Sequence, residues 1–384
     1  MNYFLFHYSN KFPELILEGI TEQCKTNTSN LTLVYHNLHN QDISEEDKIL
    51  LNQRYEGYRL TSFADIEAEK WENAEKVILL SINGRNKHCY EVLYDILGQV
   101  AFADKVWTWI TDDEVFRLYR AYGLSTQKFK IAVGEKSFPE WVFDEVVNYT
   151  NFYEPWGRTV EGITGKKKNF DNQIPIVPLK KDIEEKKTKP TTVNKRTNND
   201  ITRILVHTKG GSLGVFEILL YIALFIVKST SFHSRAKISI YIWPLLGRYN
   251  LIFKIAYRIA FQICRILNTI FRGNVFIIEE YYRAPKEYTR HILSFDFLVA
   301  QKRGGGSTIR TFIKSGGNVF FHQNSFNSKV YSYNIYKHLQ VFTNLGQMLK
   351  SLDSFDESTS KIVLDEIIKL EARSIKHYRK LFFE

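Results

Sequence analysis

The chain has 384 residues, 44% of them apolar, and a formal net charge of +10. That length is generous for one hydrophobic core and comfortable for two. Its three cysteines (Cys24, Cys89 and Cys264) include no CxxC pair. They exclude a disulfide framework and, with no secretory leader visible, point to a reducing cytoplasm.

The charge is unevenly spread. Residues 1–150 hold 15 Lys and Arg against 23 Asp and Glu, whereas residues 151–384 hold 37 against 19. A basic second half implies an anionic partner, whether nucleotide phosphate, lipid headgroup or nucleic acid.

Residues 1–150 read as alternating strands and helices. "NYFLFHY" and "LTLVYHN" are strand-like, "EKVILLSING" is an apolar strand running into a glycine turn, and "HCYEVLYDILGQVAFA" has helical spacing. "KVWTWIT" is a further strand, "DDEVFRLYRAYG" a short helix, and "KFKIAVG" a returning strand. This alternation predicts a parallel sheet covered by helices. Residues 151–200 break the pattern. They are rich in Lys and Pro with little periodicity, and read as a linker, with an ordered extended strap at "NQIPIVPL" as the alternative.

From residue 201 the alternation restarts and runs to 355. "ITRILVHT" is a strand, "KGGSLG" a turn, and the run 214–227 a buried helix, since it is too short to span a bilayer and contains Glu217. "AKISIYIW", "GNVFIIEEYY", "FDFLVAQ" and "NVFFHQ" are strands. Residues 249–272, "APKEYTRHILS" and "GSTIRTFIKSGG" are the helices between them. A last helix occupies 356–384. The expected architecture is two successive α/β domains joined by the linker, with that helix closing the chain.

Two turns in the second half carry phosphate chemistry. Strand, glycine-rich turn, then helix brings unpaired N–H donors and a partial positive charge to an anion. One turn holds Lys209, Gly210, Gly211 and Ser212. The other holds Arg303, Gly304, Gly305, Gly306, Ser307 and Thr308. Neither is a GxxxxGK[ST] or GxGxxG loop, and each alone could be a plain turn. Together, at strand ends in a basic domain, they suit a shared diphosphate.

Residues 201–330 resemble the donor-binding domain of GT-B glycosyltransferases, in particular the bacterial 4-acetamido-fucose (Fuc4NAc) transferases of lipid-linked surface polysaccharide synthesis. The resemblance rests on "RILVHTKGGSLGVFEILLYIAL" and on Pro285, Tyr288, Ile292, Phe295, Gly304–Thr308, Gly317–Phe321 and Asn324. It implies an α/β fold of two Rossmann-like domains facing across a cleft, and a nucleotide-sugar donor of UDP or dTDP type, with no further cofactor. It also implies a glycan or polyprenyl-linked acceptor. Glu280 and Tyr281 would then meet the base and sugar, with solvated carboxylates as the alternative at Glu279 and Glu280. Asn324 would touch the donor, and His7, at the end of the first strand, would act as general base on the acceptor hydroxyl. A structural histidine is the alternative there. The chain departs from the family in its Lys-rich segment near 160–196 and in lacking a Trp-Gly-Ala-Asp stretch.

Asp112-Asp113 lacks the spacer of a DxD metal motif, and Asp112 suits a helix N-cap, so no metal is expected. Lys254, Arg258, Arg265 and Arg272 fall in one narrow stripe of the helix 249–272 at about 100° per residue. Such a stripe fits an anionic membrane surface or an ordinary solvated face. The whole reads as a metal-independent glycosyltransferase of surface-glycan synthesis, of the O-antigen, capsule or common antigen type. It is expected to be cytoplasmic, with a peripheral position at the inner face of the cytoplasmic membrane. No nucleic-acid motif supports that partner. The alternative is a nonenzymatic basic α/β module that binds anionic lipid or nucleic acid.

Overall fold

The computed structural model describes residues 1–10, 12–24, 28–37, 42–82, 84–110, 132–133, 136–137, 140–150, 161, 164–171, 202–208, 236–242, 251–270, 276–279, 285–300, 306–323, 325, 327–328, 331, 338–344, 347–348, 351 and 357–384. The chain divides into two compact units. The first is Met1–Pro178 with Lys369–Glu384, and the second is Leu179–Ile368.

The first unit is built on a seven-stranded parallel sheet. Its strands are β1 (Asn2–His7), β2 (Leu31–His36), β3 (Arg59–Ser62), β4 (Lys76–Leu80), β5 (Val106–Trp109), β8 (Asn148–Thr150) and β9 (Asn169–Asp171), in the order β3-β2-β1-β4-β5-β8-β9. Helices α1 (Phe12–Cys24), α2 (Glu45–Arg54), α3 (Ala68–Glu72), α4 (Lys87–Lys105) and α5 (Glu140–Glu145) connect them. Every residue of β1 is buried, as a strand covered on both faces requires. Phe4 and Phe6 point to one layer, and Tyr3 packs on Trp71 in the other. Ser44 caps α2 by accepting from the Asp47 N–H.

Three local features differ from the sequence expectation. The described part of "KFKIAVG", β6 (Ala132–Val133), pairs antiparallel with β7 (Lys136–Ser137) in a separate two-stranded sheet. Helix α4 is broken at Gly98, whose φ of 68° only glycine tolerates at low cost. The segment expected as a linker contributes β9, which pairs with β8, and a buried Lys168. The Lys168 ammonium donates to the carbonyls of Asp144 and Val146, and burial lowers its pKa to about 8. The proposed strap at "NQIPIVPL", the helix at "DDEVFRLYRAYG" with its Asp112 cap, and the run 214–227 lie outside the described residues.

The last helix, α9 (Glu357–Phe382), is divided between the units at residue 368. Its final turns complete the core of the first unit. Tyr378, Leu381, Phe382 and Phe383 join Phe4, Phe6, Leu33, Ile78 and Trp109 in one buried cluster. Tyr378 stacks on Trp109 at 4.9 Å, and Phe382 meets Phe4 edge-on at 5.3 Å. Two late carbonyls of the helix are satisfied from the sheet: Asn2 donates to Phe382 and Lys76 to Lys380.

The second unit holds a six-stranded parallel sheet of β10 (Thr202–Thr208), β11 (Ala236–Ile242), β12 (Phe276–Glu279), β13 (Phe297–Val299), β14 (Asn318–His322) and β15 (Gln340–Phe342). Their order is β12-β11-β10-β13-β14-β15. Helices α6 (Leu251–Ile270), α7 (Pro285–Ile292) and α8 (Gly306–Lys314) link consecutive strands. Pro285 opens α7, where its missing N–H costs nothing.

Helix α8 ends in a Schellman turn. The Gly316 N–H donates to the Ile313 carbonyl and the Gly317 N–H to that of Phe312, with Gly316 at φ 84°. The second glycine is needed for a different reason. A Cβ on Gly317 would lie 2.4 Å from the ring of Phe312, which is itself buried. Gly317→Ala is therefore expected to destabilise by about 1–3 kcal/mol through overpacking, read as a lower urea midpoint. An unchanged midpoint would mean that the Phe312 ring can move.

Candidate functional site

Both sheets have the doubly wound order, in which the first and fourth strands of the unit are neighbours and the chain winds outward from them in both directions. The crevice at the carboxyl ends of those two strands is where such sheets bind ligands. In the second unit the two strands are β10 and β13, paired in register at Val206↔Val299. The two glycine-rich turns found in the sequence follow these strands. Lys209–Ser212 comes directly after Thr208, and Arg303–Thr308 begins a few residues after Val299. Two segments separated by some ninety residues of sequence thus follow strands that are adjacent in the sheet.

Lys209, Gly210, Gly211, Ser212, Glu280, Tyr281, Arg303, Gly304, Gly305 and Asn324 lie outside the described residues, as does the side chain of Ser307. What is described is the far side of the second turn. Gly306 opens α8, and Thr308 in its first turn is buried. The N-terminal end of a helix carries a partial positive charge that attracts anions. Sequence reasoning passed over Arg310, which is buried on α8 and donates from Nη1 to the Tyr331 hydroxyl at 3.5 Å. A cation flanked by Ile309, Phe312 and Ile313 is the signal that could have marked it. A shallow hollow lined by Gly317, Asn318, Gln340 and Ser360 sits at the starts of β14 and β15, the opposite edge of this sheet.

In the first unit the corresponding strands are β1 and β4, paired along Asn2↔Lys76 to Leu5↔Leu79. His7 ends β1, and Ser81 follows β4. His7 is 7% exposed, its Nδ1 lies 2.9 Å from the Ser9 hydroxyl, and its Nε2 is buried with no hydrogen-bond partner among the described residues. Burial, then the nearby Arg85 guanidinium, lowers its pKa to about 4. On the neighbouring strand His36 meets it edge-on at 5.4 Å, and burial, then His7, lowers His36 to about 3. Both rings are neutral at pH 7.

Ser81 is the one described non-glycine residue with positive φ, at 86°. Such strain persists only where neighbours hold it, and it gathers at functional sites. The holding contacts here are its N–H to the Trp109 carbonyl and the Asn86 amide, which donates at 2.6 Å to both Leu80 and Ser81 carbonyls. Asn83 lies outside the described residues. The sequence pointed to His7 and to the glycine turn at the end of "EKVILLSING". It gave no sign of Ser81 or of the His7–His36 pair, because strand register brings the two histidines together.

Of the basic stripe, Arg258 and Arg265 are exposed on α6. The Lys254 side chain and Arg272 lie outside the described residues.

The fold is that of GT-B glycosyltransferases. The chain is similar to the UDP-forming α,α-trehalose-phosphate synthase of Burkholderia vietnamiensis, with a TM-score of 0.60, 7% identity and coverage of 100% of this chain and 98% of that one. The E. coli trehalose-6-phosphate protein bound with UDP-2-fluoro glucose gives 0.59 at 10% identity, covering 99% and 97%. Anabaena HepE in complex with UDP and glucose gives 0.54 at 10% identity, covering 99% and 97%. No protein-family model matches the sequence, and no curated protein matches it.

Proposed function

We propose that the protein is a glycosyltransferase that moves a sugar from a nucleotide diphosphate-sugar to a lipid-linked or growing bacterial surface glycan. The observation that supports the donor half is the adjacency of β10 and β13, the strands flanking the switch point of the basic unit, which the two glycine-rich segments follow in sequence. The UDP and UDP-sugar ligands of the E. coli and Anabaena neighbours favour a UDP-type donor. The surface-glycan acceptor rests on the likeness of residues 201–330 to Fuc4NAc transferases. A polyprenyl-linked acceptor would bring the protein to the inner face of the cytoplasmic membrane.

In this reading Lys209–Ser212 and Arg303–Thr308 hold the diphosphate, while Glu280, Tyr281 and Asn324 meet the base and sugar. Arg303 and the N–H groups opening α8 stabilise the negative charge that builds on the leaving diphosphate, without a metal. His7, neutral at pH 7, accepts the proton of the attacking acceptor hydroxyl.

The test is thermal melting with UDP, dTDP, GDP and CMP, with and without Mg²⁺. A ligand of the folded state must raise the midpoint. One diphosphate is expected to raise it independently of Mg²⁺, and Arg303→Ala to reduce that rise. Absence of any rise would leave a basic α/β module without a donor site, and an undiminished rise in Arg303→Ala would remove that residue from the site.

A further inference from the structure

Helix α6 carries an apolar stripe that the fold does not cover. Ile255, Ile259, Ile266 and Ile270 are 50%, 52%, 58% and 64% exposed. At about 100° per residue they fall within about 60° of one another around the helix. Isolated exposed isoleucines are ordinary, but four aligned over four turns of one helix form a contiguous patch. Exposed Gln262 and Thr269 border the stripe on one side, and beyond them come exposed Arg258 and Arg265. No Asp or Glu occurs between Glu217 and Glu279, whereas eight Lys and Arg do. Among the described residues no helix is long and apolar enough to cross a membrane.

We propose that α6 lies in the plane of an anionic bilayer surface. The four isoleucines enter the boundary between headgroups and acyl chains, while Arg258 and Arg265 pair with lipid phosphates. The charge decides the occupant. A run without acids beside an apolar stripe matches a surface that is anionic outside and hydrocarbon beneath. A nucleic acid would leave the isoleucines in water, and a second copy of this helix would bring its arginines against their own kind. The membrane-bound acceptor of the proposed function gives this surface a purpose, but the surface itself rests on α6 alone.

The experiment is co-sedimentation of the full chain with phosphatidylcholine vesicles, with and without phosphatidylglycerol. The wild type should bind the phosphatidylglycerol vesicles and lose only part of that binding in high salt. Ile259→Gln with Ile266→Gln should lower the partition coefficient about tenfold or more, since two apolar side chains are withdrawn from the bilayer. Arg258→Gln with Arg265→Gln should lower it about tenfold and remove the preference for anionic vesicles. Circular dichroism checks that each pair folds, and the nucleotide-induced melting shift should be the same in both. Failure of the wild type to sediment with anionic vesicles would overturn the proposal. So would wild-type partition by the folded isoleucine pair, or a dimer in sedimentation velocity that the isoleucine pair disperses. Vesicle binding without any nucleotide shift would sink the transferase reading and leave this one standing.

Discussion

Phe382→Ala is expected to destabilise the first unit by about 3–5 kcal/mol, the cost of emptying a fully enclosed aromatic site. Phe382 has no exposed surface, and its ring lies 5.3 Å from that of Phe4 and 5.9 Å from that of Trp109. Phe4 and Trp109 stand on β1 and β5, strands that cannot shift into the space without breaking their ladder. Tyr378, one turn earlier, would lose a neighbour at 6.5 Å. Urea unfolding followed by tryptophan fluorescence reads this directly, because Trp109 is in the same cluster. Ile368→Ala on the same helix is the control. Ile368 is 52% exposed, and its change should stay within about 0.5 kcal/mol. A loss below about 1 kcal/mol for Phe382→Ala would mean that the end of α9 does not belong to this core.

The second large effect is acid lability. His7 and His36 are buried as neutral rings with pKa values near 4 and 3, below the ordinary 6.5. On unfolding both regain the ordinary value, so between pH 6.5 and 4 the unfolded chain binds more protons than the folded one. Stability is therefore fully present above pH 6.5 and falls as the pH drops, by an amount on the order of several kcal/mol for the pair. Proximity adds to this, since one charged ring disfavours the other at 5.4 Å. The thermal midpoint should fall from pH 7 to pH 4.5. His7→Asn with His36→Asn should flatten that slope even if its midpoint at pH 7 is lower. Equal slopes for wild type and double variant would refute the burial of the two rings.

Much of the fold is legible in sequence because long parallel strands leave a strong local mark. "YFLF" and "ILV" are continuous apolar runs whose residues are all buried, as in strands covered on both faces. The glycine-rich turns are visible for a similar reason. Consecutive glycines between apolar runs stand out in composition alone. The short strands β3, β8, β9 and β15, of three or four residues each, are hidden, since so few positions cannot display a period. The stripe on α6 was half legible. Four cations on one side follow from spacing, but that the isoleucines beside them stay uncovered depends on where the sheet ends.

By itself, then, the sequence determined two α/β halves of opposite charge, and glycine-rich turns after the first and fourth strands of the basic half. Local periodicity and local backbone demands are written residue by residue. Only the tertiary structure decided that the strands before those two segments are adjacent, that His7 faces His36, and that "HYRKLFF" closes the core of the unit where the chain began. An apolar helix face announces that it must be buried, but not against what. The partner is chosen by shape and register among surfaces hundreds of residues away, and no local pattern encodes that choice.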